Sequence, residues 1–314
     1  MRNIAFIFPG QGSQYVGMGK EIYEEFEVAK EIFQKANNIL NKDIENLCFN
    51  GPIEELTSTE NNQVAIVTLS IALFKVLKSY GIKPKVVAGL SLGEYSALIS
   101  SGIMNFEQGL EVVRKRGSFM KEDSDSTKGS MAAVIGGKIE IIEEVCKELG
   151  DKGIIGVANY NCSSQVVISG EDYLIEEAME ILKTKGTKKI IKLSVSGGFH
   201  TELMRNASQK LYAVLNNVDF QKSDIDVISN VTGEILSDVK DLKNLLKAQV
   251  KSPVQWQKTI ENMIDMGIDT FIEVGPGKSL SGFVKKINKD VKVLNIEDKE
   301  SIYNTLRHLK EASA

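Results

Sequence analysis

Two histidines, three cysteines, five prolines and one tryptophan are all that 314 residues hold of these types. Each scarcity narrows the chemistry. Cys48, Cys146 and Cys162 lie far apart, with no CxxC and no paired spacing. That excludes a disulfide framework and a cysteine-based zinc site, and it suits a reducing cytosol. A net charge of −4 leaves no general basic excess, which argues against a nucleic-acid binder. The uncharged stretch that reads as helical, residues 61–74, is fourteen residues and carries Asn, Gln, Thr and Ser. A bilayer-spanning helix needs about twenty mostly apolar residues, so no membrane association is expected. Met1-Arg2-Asn3 leads straight into Ile4-Ala5-Phe6-Ile7-Phe8, leaving no room for a signal peptide. A cytoplasmic protein is the expectation. Internal repeats, low-complexity tracts and Pro/Ser-rich linkers are also missing, and 42% hydrophobic with 25% charged residues fits a globular chain with a normal core.

What is present alternates between strands and helices. The continuously apolar segment 3–8 predicts a strand buried on both faces of a parallel sheet. Helical patterns follow at about 18–40 and 61–80, the second nearly apolar all round, as in a central buried helix. Val86-Val87-Ala88-Gly89 predicts a short strand, and a helix follows from Gly93 to about Ser101. This alternation indicates an α/β core. Further on, the pattern predicts strands at 131–136, about 154–160, about 165–169 and about 188–195, with helices at 139–149 and about 171–186. The order β-α-β-β-α-β is the ferredoxin-like motif. Residues 127–196 therefore read as a small lobe inserted into a core made of residues 1–126 and 197–314. The polar segment 121–129 reads as its entry linker. The core resumes at His200, Phe271-Ile272-Glu273-Val274 predicts another buried strand, and residues 311–314 read as a frayed end.

Gly89-Leu90-Ser91-Leu92-Gly93 matches the G-x-S-x-G nucleophile elbow and lies between a predicted strand and a predicted helix, where that motif must lie. Its glycines let the turn close so that the serine hydroxyl projects, and the helix N-terminus aims N–H groups at developing negative charge. A tight turn whose serine merely caps the helix would show the same five residues. An activated serine needs a base, and the chain offers only His200 and His308. His308, in the charged segment Leu306-Arg307-His308-Leu309-Lys310, reads as a solvated helix residue. His200 follows a predicted strand and the turn Ser196-Gly197-Gly198, on a loop that re-enters the core. Its near-neutral pKa suits proton exchange with a serine, although a capping or packing histidine would fit that place equally. Two glycine-rich segments invite a nucleotide reading and fail on spacing. In Gly10-Gln11-Gly12-Ser13-Gln14-Tyr15 a tyrosine stands where G-x-G-x-x-G needs its third glycine. Gly277-Lys278-Ser279 lacks the first glycine of a P-loop, Ile272 standing there. No nucleotide cofactor is indicated.

Seven motifs occur in order: Phe8-Pro9-Gly10-Gln11-Gly12-Ser13-Gln14, Gly89-Leu90-Ser91-Leu92-Gly93-Glu94-Tyr95-Ser96-Ala97, Arg116-Gly117, Asn159-Tyr160-Asn161, Phe199-His200, Pro253-Val254-Gln255-Trp256 and Glu273-Val274-Gly275-Pro276-Gly277-Lys278. Together, over residues 4 to about 300, they closely resemble the malonyl-CoA:acyl carrier protein transacylases of bacterial fatty acid synthesis. The resemblance implies an α/β-hydrolase-like core with an inserted ferredoxin-like subdomain. It also implies a ping-pong acyl transfer that needs no metal or redox cofactor. Ser91 would take the malonyl group from malonyl-CoA with His200 as base, then pass it to the phosphopantetheine thiol of acyl carrier protein. The main-chain N–H groups of Gln11 and Leu92 would form the oxyanion hole. Arg116 would hold the malonyl carboxylate, a contact that suits a guanidinium fork, although the residues alone favour reading Arg114-Lys115-Arg116 as a solvated charge run. The main-chain carbonyl of Gln249 would orient the histidine in place of a triad aspartate. Asn161 would help to shape the pocket, and Phe199 would exclude an α-methyl group. Carrier proteins of this family are acidic, so exposed lysines near the cleft, Lys188, Lys189, Lys285 and Lys286, are docking candidates; as ordinary solvated lysines they would need no partner.

Two departures stand out. Leu90 occupies a position that is often histidine in the family, beside the nucleophile, and Ser196-Gly197-Gly198-Phe199 precedes the base where many relatives have proline or serine nearby. Three rival readings share the motifs: a trans-acting acyltransferase of a polyketide synthase, a hydrolase or thioesterase, and a catalytically silent carrier-binding module.

Overall fold

The computed structural model describes residues 3–311, and among them nine strands follow one another along the chain. They are β1 (Ile4–Phe8), β2 (Val86–Gly89), β3 (Gly129–Ile135), β4 (Ile155–Cys162), β5 (Gln165–Glu171), β6 (Lys189–Lys192), β7 (Asp226–Val227), β8 (Thr270–Val274) and β9 (Lys292–Ile296). Five of them make a parallel sheet in the order β7-β2-β1-β8-β9. Helices cover both faces of a parallel sheet, so its central strands have no polar side to show. Both β2 and β8 are buried throughout, and β1 from Ala5 onward. The one charge in these central strands, Glu273, is answered locally. Its carboxylate accepts the N–H groups of Leu280 (3.1 Å) and Ser281 (2.7 Å) at the start of helix Ser279–Ile287, the usual place for an anion.

Helix Thr59–Ser79 is the buried central helix that its all-round apolar pattern predicts. By length and composition alone, with mean hydropathy 1.2, it meets what a bilayer span requires. However, 83% of that window is packed inside the protein, as in a core helix. The expected single helix at 18–40 is instead two, Lys20–Glu25 and Glu27–Leu40. Phe26 between them is extended (φ −120°, ψ 110°) and sets its ring beside Tyr303 of the last helix. The expected linker at 121–129 is also corrected: helix Phe106–Ser126 runs through most of it. Its polar residues serve the helix and its packing. Lys121 pairs with Asp125 one turn on, and buried Asp123 accepts the N–H of Ala207 at 2.8 Å. Of the expected frayed end, residues 312–314 lie outside those described, and Glu311 closes helix Lys299–Glu311.

The other four strands form an antiparallel sheet in the order β4-β5-β3-β6. With helices Ile139–Gly150 and Asp172–Thr184 between them, this is the β-α-β-β-α-β arrangement. Side chains alternate along each strand, so the sheet has two different faces. Ala132, Val134, Val166 and Ile168 pack under these two helices with Ile142, Ile175 and Leu182. Met131, Ala133 and Val167 turn the other way, toward the parallel core. β4 is tied to the segment before helix Trp256–Asp265, where Val254 N–H donates to Ala158 O (2.8 Å) and Tyr160 N–H to Val254 O (3.0 Å). The expected strand at 188–195 is shorter, Lys189–Lys192: Leu193 N–H still donates to Met131 O (2.8 Å), Val195 N–H then turns back onto Leu193 O (3.0 Å), and both side chains line the cavity between the sheets.

Candidate active site

Ser91 sits on the turn between β2 and helix Gly93–Ser101 with φ 52°, a left-handed conformation rare for a residue with a side chain. The flanking glycines are sterically required. A Cβ on Gly89 would lie 1.9 Å from the carbonyl carbon of Gly93, and one on Gly93 would lie 2.1 Å from Phe8 O. So close an approach of strand, turn and helix lifts the serine hydroxyl into a cavity of about 290 Å³ between the two sheets.

His200 faces it. Nε2 of His200 lies 2.8 Å from Ser91 Oγ, and Nδ1 lies 2.8 Å from the main-chain oxygen of Gln249. A carbonyl oxygen only accepts, so Nδ1 carries the proton and Nε2 is left free to accept from the serine hydroxyl. The histidine also has positive φ (62°) and is 5% exposed. Burial, followed by the neighbouring Arg116 charge, lowers its pKa to about 4. The near-neutral value expected for histidine therefore does not hold here: both causes disfavour a second positive charge in a closed space. The imidazole is neutral at physiological pH.

Arg116, in helix Phe106–Ser126, is 1% exposed. Nη2 donates to Ser91 Oγ (3.1 Å) and to Gln249 Oε1 (3.1 Å), Nη1 donates to Gln63 Oε1 (2.8 Å), and the guanidinium stands 5.4 Å from the Tyr95 ring centre. All of these partners are neutral, and Nε has none among the described residues. Burial disfavours its charge, the nearby Glu94 carboxyl offsets this only in part, and an anion in direct contact would stabilise it further.

The other residues singled out from sequence divide. Gln11, Asn161 and Phe199 all line the cavity, and Oδ1 of buried Asn161 has no partner among the described residues. The main-chain N–H groups of Gln11 and Leu92 likewise meet no acceptor among the described residues, as an oxyanion hole needs. Leu90 is apolar wall beside Ser91. Lys285 and Lys286 are exposed on the helix whose Ser279, Leu280 and Phe283 line the cavity, whereas Lys188 and Lys189 are exposed at the start of β6, outside the lining. His308 is exposed on the last helix.

Sequence reasoning missed three residues. Gln63 holds Arg116 from the central helix. Asn230 clamps the elbow, accepting Ser91 N–H at 2.6 Å and donating to Gly89 O at 2.7 Å. Glu94 is buried beneath Ser91, and burial pushes its carboxyl up to about 7. Gln63 and Asn230 lie in segments with no motif of their own. Glu94 carried a signal, an acidic residue directly after the elbow, where a charge is seldom buried without a task.

A family model described as the acyl transferase domain matches residues 5–309. The malonyl CoA-acyl carrier protein transacylase of Bacillus subtilis (strain 168) is 45% identical over 312 residues, 99% of this chain and 98% of that one. The crystal structure of the malonyl CoA-acyl carrier protein transacylase from Clostridium perfringens superposes with a TM-score of 0.96 at 47% identity, covering 99% of this chain and 98% of that one. A malonyl-transacylase solved in complex with its type II PKS acyl-carrier protein superposes with a TM-score of 0.95 at 34% identity, over 98% of this chain and 99% of that one. A match of this length, with two relatives above 40% identity, places the chain: it belongs to the acyl transferase domain family.

Proposed function

We propose that the chain transfers a malonyl group from malonyl-CoA to the phosphopantetheine thiol of acyl carrier protein through a malonyl-Ser91 intermediate, for fatty acid biosynthesis. One observation carries the reading: Ser91 Oγ stands at once within hydrogen-bond distance of a neutral imidazole nitrogen and of a buried guanidinium. The first supplies a base and the second a cation for an acyl group that carries its own carboxylate.

The steps follow from the geometry. His200 Nε2 takes the hydroxyl proton as Ser91 Oγ adds to the thioester carbon. The resulting oxyanion lies toward Gln11 N–H and Leu92 N–H. Collapse expels CoA thiolate, which recovers the proton from His200. The carrier thiol then repeats the sequence in reverse roles. The malonyl carboxylate draws Arg116 Nη2 away from Ser91 Oγ, which frees the hydroxyl and offsets the charge that depresses His200. Residues 127–196 act as the inserted lobe, and the protein works in the cytoplasm.

Intact mass spectrometry tests this directly. Malonyl-CoA should add one malonyl group, at Ser91, and pantetheinylated carrier protein should remove it. Free malonate released at the transfer rate would instead make the protein a hydrolase. The likeness to the type II PKS complex favours a polyketide carrier as the second reading, and competition between the two carriers decides it.

A further inference from the structure

The carboxylate beneath the elbow grips two residues that serve the site, one by its main chain and one by its side chain. Glu94 Oε1 accepts the main-chain N–H of Asn230 (3.2 Å), and Oε2 accepts Gln249 Nε2 (2.8 Å). The same Gln249 Nε2 donates to Ser91 O at 2.8 Å, and Gln249 Oε1 accepts from Arg116 Nη2. Glu94, Gln249 and Arg116 are each about 1% exposed, so water does not substitute for any of these contacts.

Donor and acceptor chemistry gives this chain a direction. In its ionised form, which its hydrogen bonds and the Arg116 charge favour against burial, Glu94 offers acceptors only, as the Ser91 carbonyl always does. Both therefore require the NH₂ end of the Gln249 amide, which leaves its oxygen facing the guanidinium. The opposite amide orientation would set two donors face to face and displace Arg116 from Ser91. We propose that Glu94 is a positioning residue for acyl selectivity: by fixing which end of the Gln249 amide faces Arg116, it holds the guanidinium beside Ser91, where an acyl carboxylate has to be met. Asn230 has a separate task. It clamps the two peptide groups of the elbow and has no contact with Arg116, so it acts on the serine whatever acyl group arrives.

This inference rests on the malonyl reading, and one set of measurements separates their failures. Acyl-enzyme formation is followed by rapid-quench mass spectrometry with malonyl-CoA and with acetyl-CoA. The proteins are wild type, Glu94→Gln, Gln249→Met, Asn230→Ala and Arg116→Ala, each checked by thermal melting. Glu94→Gln is nearly isosteric and removes a buried charge, so it should fold. Its single carbonyl cannot accept from both Asn230 and Gln249. The malonyl-to-acetyl rate ratio should fall by about tenfold in Glu94→Gln and in Gln249→Met, the size of a well-made coupling. Asn230→Ala should slow both acyl donors alike and leave the ratio within about twofold. In the Arg116→Ala background, Glu94→Gln should change the ratio no further, because Glu94 acts through that guanidinium. An unchanged ratio in folded Glu94→Gln and Gln249→Met, or an undiminished effect in the Arg116→Ala background, overturns the inference. A wild type that takes no malonyl group at Ser91 overturns the reading beneath it instead.

Discussion

The two sheets that enclose the cavity contribute in opposite ways. The parallel core supplies every atom nominated for chemistry: Ser91 from the β2 turn, His200 and Gln249 from its later loops and helices, Arg116 from helix Phe106–Ser126. The antiparallel lobe supplies wall, with Met131, Ala133, Val167, Leu193 and Val195 lining the same space. On the core side backbone crowds backbone at the elbow, and Ser91 and His200, both at the site, hold positive φ. On the lobe side β6 is largely exposed, and β4 carries register shifts. The contrast teaches where strain is kept. A surround that over-determines the conformation can hold a serine and a histidine in unfavourable backbone states, and a looser sheet can shape the corridor without doing so. This comparison predicts that core changes act on chemistry or folding as a whole, and lobe changes in small steps.

The largest expected effect is at the pair itself. Ser91→Ala should abolish the acyl-enzyme. His200→Ala should slow acylation by several orders of magnitude, since an unassisted serine hydroxyl is a poor nucleophile. His308→Ala should leave the rate unchanged. A malonylated Ser91→Ala protein, detected during turnover, would break the assignment. Next in size is Arg116→Ala, which should weaken malonyl transfer by about 2–5 kcal/mol, as expected for a buried charged contact, with acetyl transfer falling far less. Arg116→Lys should restore only part, because an ammonium cannot make the planar two-point contact. An unchanged malonyl-to-acetyl preference in Arg116→Ala would sink this account of the pocket.

A pair of glycines tests the contrast in stability. Gly93→Ala drives a Cβ against Phe8 O in rigid backbone and should cost about 3 kcal/mol or more, seen as a lowered denaturation midpoint. Gly156→Ala, in β4 of the lobe, meets nothing within 4 Å and should be neutral or slightly stabilising. Equal losses would mean that β4 is as tightly determined at Gly156 as the elbow is at Gly93.

How much of this was legible in the residues follows the same division. The elbow was readable because its chemistry is local: five consecutive residues specify strand, turn and helix. The lobe was readable because alternation and turn signals recur within about 70 residues. The helix Phe106–Ser126 was lost behind its charges, since Lys121, Glu122 and Asp125 look like a linker until their partners are known. Asn230 and Gln63 were invisible for a different reason. Each touches the site across more than 50 residues of chain, through a side-chain amide that any loop or helix can carry. The histidine's pKa also could not be read, because burial and the distance to Arg116 are properties of the fold alone.

The fourth prediction uses that pKa. With neutral His200 as the proposed base, its own contribution to acylation, separate from any change that follows Glu94 near 7, should fall only as pH drops through about 4, where the imidazole gains a proton. That value belongs to the free enzyme and should appear in kcat/KM. A bound malonyl carboxylate offsets Arg116, so the fall in kcat should come at higher pH. In Arg116→Ala, with the cation gone, the kcat/KM fall should also move upward. Profiles for the two parameters that coincide in wild type would remove Arg116 as a cause.

The smallest expected effect distinguishes the two sheets as docking platforms. An acidic carrier needs positive charge at the cavity mouth, and both candidate lysine pairs are exposed. Their positions differ. Lys285 and Lys286 ride on helix Ser279–Ile287, whose Phe283 is cavity wall, and Lys286 Nζ lies 5.9 Å from the centre of that ring. Lys188 lies with its stem against Gly136, and Lys189 opens β6 opposite Ile135. The first wall residue on that segment, Leu193, lies four residues on, about 13 Å at the rise of a strand. At physiological ionic strength that exceeds the screening length of about 8 Å. Reversing Lys285 and Lys286 to Glu should therefore raise KM for the carrier by several-fold, about 1 kcal/mol in all, with the difference shrinking as salt is added. Reversing Lys188 and Lys189 should change it by less than about twofold. Malonyl-CoA acylation, measured without carrier, should be untouched by either pair, since none of the four contacts Ser91, His200 or Arg116. A larger effect from the lobe pair would transfer the docking surface to the antiparallel sheet, and equal loss in both half-reactions would point to misfolding.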